Sequence, residues 1–172
     1  MSSFTRTGPD AFLAEFSRPE GLILASLAEQ LVGMLSHDTV PEHTVSDQAD
    51  PALHRLFPDA YPDDPEAAAE FRRFTIEGLA ERKLQGAQAL MDAVIANPAT
   101  TGPGGARAIT LSTQDTERWL RTLTDLRLTI ATRLSITADD EVGRTDEAAE
   151  PMQEIYFWLG ALQESLVNAL DA

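Results

Sequence analysis

Residues 112–134 read STQDTERWLRTLTDLRLTIATRL, and this stretch decides the fold. Its apolar side chains recur at spacings of three and four residues; they are Trp119, Leu123, Leu126, Ile130 and Leu134. That spacing places them on one face of a helix, and Ser112 or Thr113 can cap its start. The threonines within it lower helix propensity, but a stripe this regular outweighs them. The stretch therefore predicts a long amphipathic helix with one buried face.

Two further main helices lie upstream and one lies downstream. The segment Ser17–Glu20 is a capping box with a proline in the first turn, and leucines at helical spacing follow it to a predicted end near His37. A second helix is predicted from Pro65 to Ala96, with a slip of its apolar stripe near Gly78 that predicts a bend or two different partners. Pro151 opens the last helix. Its predicted buried stripe is Ile155, Leu159, Leu162, Leu166 and Leu170.

Strand patterns are confined to two places. Phe12 to Phe16 alternates in the manner of a half-buried strand after the turn at Gly8–Asp10, and Phe4–Thr7 can form the other arm of a hairpin. Ala108–Leu111 is a later strand expected to join that hairpin. We therefore predict a mainly α (α+β) fold for residues 1–172 as a single domain. It has four main helices in a bundle-like arrangement and a small N-terminal antiparallel β-sheet, made of the hairpin plus one later strand.

Between the first two long helices, Asp50-Pro51 starts a short helix that ends near Phe57. The segment from Leu53 to Tyr61 is too apolar for a free loop, and two prolines stiffen it. We predict that it packs against the helices.

The composition of the 172-residue chain limits its class of function. There is no cysteine, so disulfides, thiolate zinc sites and a cysteine nucleophile are excluded. The net charge is −15, from 28 acidic residues against 13 lysines and arginines, so nucleic acid and anionic membranes are not expected partners. The start of the sequence has no apolar leader and no apolar run is long enough to span a bilayer. These features predict a cytoplasmic acidic protein, whose charge serves solubility or meets a basic partner.

No catalytic, metal-binding or cofactor-binding pattern is present, and we predict no residues of these kinds and no cofactor. The histidines lack metal-ligand spacing; they are His37, His43 and His54. The acidic loops at 59–64 and 139–141 lack calcium-loop spacing. The carboxylates of Glu66 and Glu70 share a helix face, as do those of Glu77 and Glu81, but the histidines that a di-iron site would need are missing.

Two arginines lie beside the core stripe of the 112–134 helix. At 100° per residue, Arg127 and Arg133 fall next to the apolar face, whereas Arg118 and Arg121 point away from it. A guanidinium beside a core needs a carboxylate or several carbonyls. We expect Arg133 and Arg127 to be buried, and two interpretations stay open: a structural ion pair with another helix, or an anion-binding pocket.

The last helix is apolar on nearly every side around residues 156–159. Phe157 lies opposite the stripe, and Gly160 and Val167 lie away from its centre. A helix of this kind is buried on both faces or contacts a partner. Either the N-terminal hairpin covers Phe157, or Phe157, Gly160 and Val167 form an interface with another protein or with a second copy in a modest homodimer.

Three segments, residues 50–61, 119–134 and 157–166, together resemble the bacterial domain of unknown function 2017 (DUF2017) family. The strings LFPDAY at 56–61 and WLRTLTDLRL at 119–128 carry most of the resemblance, which extends over essentially the whole chain. It implies a cytoplasmic protein of actinobacterial type. Members are often encoded beside the substrate adaptor of the Clp protease, which points to regulation or proteolysis. The resemblance implies no reaction and supplies no site residues.

Two hypotheses for the function follow. The first is a non-catalytic protein–protein interaction or regulatory module, based on the missing catalytic motifs, the acidic charge and the over-apolar last helix. The alternative is a small-ligand-binding or enzymatic domain that uses Arg127, Arg133 and helix carboxylates. A cleft with converging polar groups would favour the alternative, and a flat apolar patch near Phe157 would favour the first.

Overall fold

The computed structural model describes residues 2–36, 50–58, 60–61, 63–96, 106–138 and 141–172, apart from the side chains of Arg73 and Glu77. In chain order its elements are β1 (Ser3–Gly8), β2 (Ala11–Phe16), α1 (Arg18–Leu35), α2 (Pro51–Leu56), α3 (Pro65–Ala96), β3 (Arg107–Leu111), α4 (Thr113–Arg133) and α5 (Glu150–Asp171). The predicted fold class is confirmed: the protein is mainly α-helical with one small antiparallel sheet.

The sheet has the order β1-β2-β3, so the later strand joins the hairpin as predicted. Phe12 pairs with Leu111 and Phe16 with Arg107 across the two antiparallel strands. The rings of Phe4 and Phe16 each lie 6.0 Å from the ring of Trp119 on α4. The amide of Phe4 also donates a 2.9 Å hydrogen bond to Ser165 Oγ on α5. The sheet is therefore fixed to both α4 and α5.

Helix α4 lies at the centre of the helical layer and contacts α2, α3 and α5, while α1 packs mainly along α3. Its threonines do not disrupt it because their hydroxyls bond within the helix. The buried hydroxyls of Thr116 and Thr129 donate to the carbonyls of Ser112 and Asp125, at 2.7 and 2.9 Å. At the start of α1 the predicted capping box is present, with the amide of Ser17 donating to Glu20 Oε2 at 2.8 Å.

Helix α3 is longer than its neighbour. It has 32 residues against 18 in α1, or about 48 Å against 27 Å at 1.5 Å per residue. Its carboxyl-terminal half buries Ala87, Leu90 and Val94. In its amino-terminal half the side chain of Phe74 is 71% exposed. The stripe slip predicted in the sequence thus separates a buried half from a largely exposed one.

The segment from Leu53 to Tyr61 is packed at its start and exposed at its end. Leu53, Leu56 and Phe57 are buried, as predicted. Tyr61 is 51% exposed, but its ring contacts that of Phe71 on α3 at 6.1 Å, so it too lies against a helix. Tyr61 lies beyond the end of α2, where the exposed half of α3 is its neighbour.

No helix in the described ranges combines the length and the apolar character that crossing a membrane requires.

Candidate functional site

The guanidinium of Arg127 lies between α4 and α5. Its Cζ is 4.6 Å from the ring centroid of Tyr156, and its Nη1 donates to Gln163 Oε1 at 3.3 Å. Within the described residues it forms no ion pair with a carboxylate, and its buried Nε has no hydrogen-bond partner. The first of the two interpretations was an ion pair with a carboxylate from another helix. Arg127 forms no such pair with a described residue.

Arg133 is exposed, so the prediction that it is buried is wrong. Its guanidinium reaches Gln30 Oε1 at 3.5 Å and Met34 Sδ at 3.8 Å, both on α1. Angular position gives the direction in which a side chain points, but not whether a neighbour covers the last turn of a helix. Arg133 lies in that last turn, and it forms no ion pair with a described carboxylate.

The three candidate interface residues of α5 have different surroundings. Phe157 is 60% exposed, and Val167 is also exposed. The hairpin reaches α5 at Ser165 and leaves Phe157 uncovered, so the hairpin alternative is wrong. Gly160 faces inward: a Cβ there would lie 3.3 Å from Arg127 Cζ. The glycine accommodates the arginine, and it does not belong to an outer contact surface.

The buried stripe of α5 differs from the predicted one at its two ends. Leu159, Leu162 and Leu166 are buried as expected, but Tyr156 and Ala169 replace Ile155 and Leu170, which are only partly buried. The change at the first end places Tyr156 under Arg127. The ring of Phe157 then lies against that of Tyr156, with centroids 5.7 Å apart.

A second site lies between α3 and α4, where a cleft of about 480 Å³ opens. Four basic side chains line it: Arg82 and Lys83 from α3, and Arg118 and Arg121 from α4. The sequence correctly predicted that Arg118 and Arg121 point away from the core. It did not reveal that a second helix brings Arg82 and Lys83 to the same place. We refer to this site as the α3–α4 cleft.

A buried ion pair stands in the wall of the α3–α4 cleft. Lys83 Nζ lies 2.6 Å from Asp125 Oδ1, with 18% of the lysine side chain and 6% of the aspartate side chain exposed. Burial raises the pKa of the Asp125 carboxyl, and the hydrogen bond and charge of Lys83 oppose that rise. Lys83 is the only lysine of the chain. The sequence signal for this pair was Asp125 itself, an acid on the flank of an apolar stripe.

Two arginines of the α3–α4 cleft pair with exposed carboxylates, and the third pairs with no described carboxylate. Arg118 pairs with Asp115 at 3.2 Å and Arg121 with Glu117 at 3.5 Å, each within α4 and each largely exposed. Arg82 is exposed and forms no ion pair with any described residue. Such exposed pairs contribute at most about 1 kcal/mol, so an incoming anion can replace them.

Gly86 sets the spacing of the two helices beside the α3–α4 cleft. It is buried, and a Cβ on it would lie 2.8 Å from Thr122 Oγ1. That distance is shorter than side chains tolerate without movement. The absence of a side chain at position 86 therefore allows α3 and α4 to approach closely at this level.

The other titratable residues that the structure describes form no cluster that could hold a metal ion. Among the residues with described placement, no three histidines, cysteines or acids converge. His54, Glu66 and Glu70 are exposed. Asp64 accepts from the amide of Ala67 at 3.1 Å, as a cap of α3. His37, His43, Asp59, Asp139, Asp140 and the side chain of Glu77 lie outside the described part.

These features together define a mainly α domain with a small antiparallel sheet and a cationic cleft between two helices. The chain belongs to the family of the domain of unknown function DUF2017, whose family model matches residues 1–170. No curated protein shows significant similarity to it, and no solved structure does.

Proposed function

We propose that this protein is a non-catalytic regulatory domain that binds a small, multiply charged anion in the α3–α4 cleft. One observation carries the proposal: four of the 13 basic residues line one cleft in a chain of net charge −15. A volume of about 480 Å³ is in the range of small-molecule sites. The proposal keeps the ligand-binding hypothesis but moves it from Arg127 and Arg133 to these four residues.

The charge distribution supports binding of an anion rather than of a cation. The acidic surface repels anions at long range, so a local group of cations is needed to hold one. Lys83 uses one of its three donors on Asp125 and retains two others. The guanidinium groups of Arg82, Arg118 and Arg121 can each present two parallel donors to a phosphate or carboxylate. Several charges acting together favour a multivalent ligand.

The Lys83–Asp125 pair supports a binding role because it holds the lysine in the wall of the cleft, with Nζ 2.6 Å from Asp125 Oδ1. The sequence carries no recognised catalytic motif, which supports a binding role over catalysis. A cytoplasmic location is part of the proposal, since the absence of cysteine suits a reducing compartment.

Calorimetric titration with pyrophosphate and with citrate tests the proposal. We expect saturable binding to the wild type and about tenfold weaker binding to Arg82→Ala, because a charge-assisted contact contributes about 1.5–3 kcal/mol in a favourable geometry. Arg18→Ala is the matched control. It removes the same charge from an exposed arginine of α1 and should change the affinity less than about twofold. Equal losses in both variants, or no binding to the wild type, would contradict the proposal.

A protein contact through the outer face of α5 is a second candidate function. It is favoured by the exposed ring of Phe157, which lies on a helix whose other face is buried. If two copies meet there, light scattering over a concentration series will show a rising mass, and Phe157→Asp will abolish the rise. Leu22→Asp is the control, since Leu22 is 56% exposed on α1. A constant monomer mass for the wild type would exclude self-association.

A further inference from the structure

We propose that Arg127 is the receptor for the carboxylate of a short-chain monocarboxylic acid. The guanidinium lines a separate pocket of about 120 Å³ that α2, α4 and α5 share with the segment after α4. Thr124 lines both this pocket and the α3–α4 cleft, but the charged residue, the size and the expected ligand of the two sites are different.

The first reason is an uncompensated charge. Arg127 is half-buried and forms no ion pair with a described carboxylate, in a chain with 28 acidic residues. A guanidinium removed from water without an anion is costly. Among the described residues its buried Nε has no hydrogen-bond partner, and the hydrogen bond from its Nη1 to Gln163 is long at 3.3 Å. The donors of this side chain are therefore incompletely used.

The second reason is that the guanidinium is held in a fixed position. It lies over the ring of Tyr156 at 4.6 Å, as a cation over an aromatic face. Gly160 leaves room behind it, since a Cβ would lie 3.3 Å from Cζ. The amide nitrogen of Gln163 donates to Thr124 Oγ1 at 2.8 Å, which orients the amide oxygen toward Arg127. A planar fork held in this way matches a carboxylate in two parallel hydrogen bonds.

The third reason is the lining of the pocket beyond the guanidinium. Leu128, Ala131 and Ile136 supply apolar surface. The other basic residue there, Arg55, donates to the carbonyl of Ile136 at 2.6 Å. Arg55 also forms no ion pair with a described carboxylate, but it already uses a donor on that carbonyl. Arg127 is therefore the guanidinium left to receive a carboxylate, and the short apolar wall fits a short alkyl tail. The pocket has a volume equal to about four water molecules, which limits the tail to a few carbons.

Proton–nitrogen NMR of the arginine side chains, with acetate, propionate, butyrate and hexanoate as probes and sodium chloride as the ionic control, tests the proposal. The Arg127 Nε–H resonance, assigned by its loss in Arg127→Lys, should shift saturably with the carboxylates but not with chloride. Affinity should rise about three- to fourfold per methylene from acetate to butyrate, and fall again for hexanoate.

Two variants and two controls complete the test. In Gly160→Ala the new methyl displaces the guanidinium, and butyrate should bind at least about tenfold more weakly; Gly33→Ala, with open space around it, should bind as the wild type does. Thermal melts report whether Gly160→Ala is folded. If it is not, ligand-induced changes in backbone amide shifts are compared in Arg127→Lys, which should lose them, and in Arg18→Lys, at an exposed position of α1, which should keep them. No shift, an equal shift with chloride, or undiminished binding in Arg127→Lys would overturn the proposal.

Discussion

Asp125 shows how a single side chain links the stability of this protein to its proposed site. The carboxyl is almost fully buried, and its ion-pair partner is Lys83 at 2.6 Å. A buried pair of this kind adds little stability by itself, since the desolvation of both charges offsets their attraction. Removing one partner leaves the other charge buried alone, and that is the costly event.

We therefore expect Lys83→Met to destabilise the protein by about 3–5 kcal/mol at neutral pH, and the double variant with Asp125→Leu to recover most of that loss. Urea denaturation of the wild type, both single variants and the double variant measures this. A double variant no more stable than Lys83→Met would show that the pair contributes in another way.

The loss of unfolding free energy in Lys83→Met should depend on pH. Burial already raises the pKa of Asp125 above its usual 3.8 in the presence of Lys83. Without the lysine, the hydrogen bond and the charge that oppose that rise are lost. A raised folded-state pKa means that the folded protein binds the proton before the unfolded chain does, so acidification relieves the buried charge. The deficit relative to the double variant should be constant above the folded-state pKa and should shrink as the pH falls through that pKa toward 3.8, the usual value in the unfolded chain. A deficit that is constant over this range would contradict the assignment of the cost to ionised Asp125.

The contact between α3 and α4 shows what the sequence could predict at the level of elements and what it could not. Periodicity and caps predicted the main helices and the three strands, because those signals are local. The α3–α4 cleft was missed because it requires Lys83 and Asp125, distant in sequence, to meet. At the two ends of the α5 stripe, Tyr156 and Ala169 face the core. The pattern predicted Ile155 and Leu170 there because their side chains are more apolar. Burial of Arg133 was predicted from its angular position beside the apolar stripe, but the side chain lies in the last turn of α4 and is exposed.

Two glycines in helices make a matched test of the close approach of α3 and α4. Gly86→Ala should destabilise the protein by about 1–3 kcal/mol, since its Cβ would lie 2.8 Å from Thr122 Oγ1. Gly33→Ala on α1 has no neighbour within 4 Å, so it should stabilise by about 0.5–1 kcal/mol through helix propensity. Thermal and urea denaturation of the two variants decide the matter. If Gly86→Ala also stabilises, the helices are not held together at this point as described.

For the whole molecule, the α3–α4 cleft differs from the chain as a whole in the sign of its charge: the chain is acidic and the cleft is lined by cations. A net charge of −15 repels anions at long range. Arg82, Lys83, Arg118 and Arg121 are the local exception. Because the long-range repulsion and the local attraction are both electrostatic, moderate salt should weaken the former more than the latter, since the Debye length is about 8 Å at physiological ionic strength. Anion binding is therefore expected in this one cleft and not over the general surface.

The measurement that tests this claim most directly is a pyrophosphate titration followed by backbone amide NMR at constant ionic strength. Saturable shifts should be concentrated in residues 79–86 of α3 and 118–125 of α4, with one dissociation constant for both segments. Shifts scattered over the surface, shifts centred on α5, or no saturable shift at all would contradict the account.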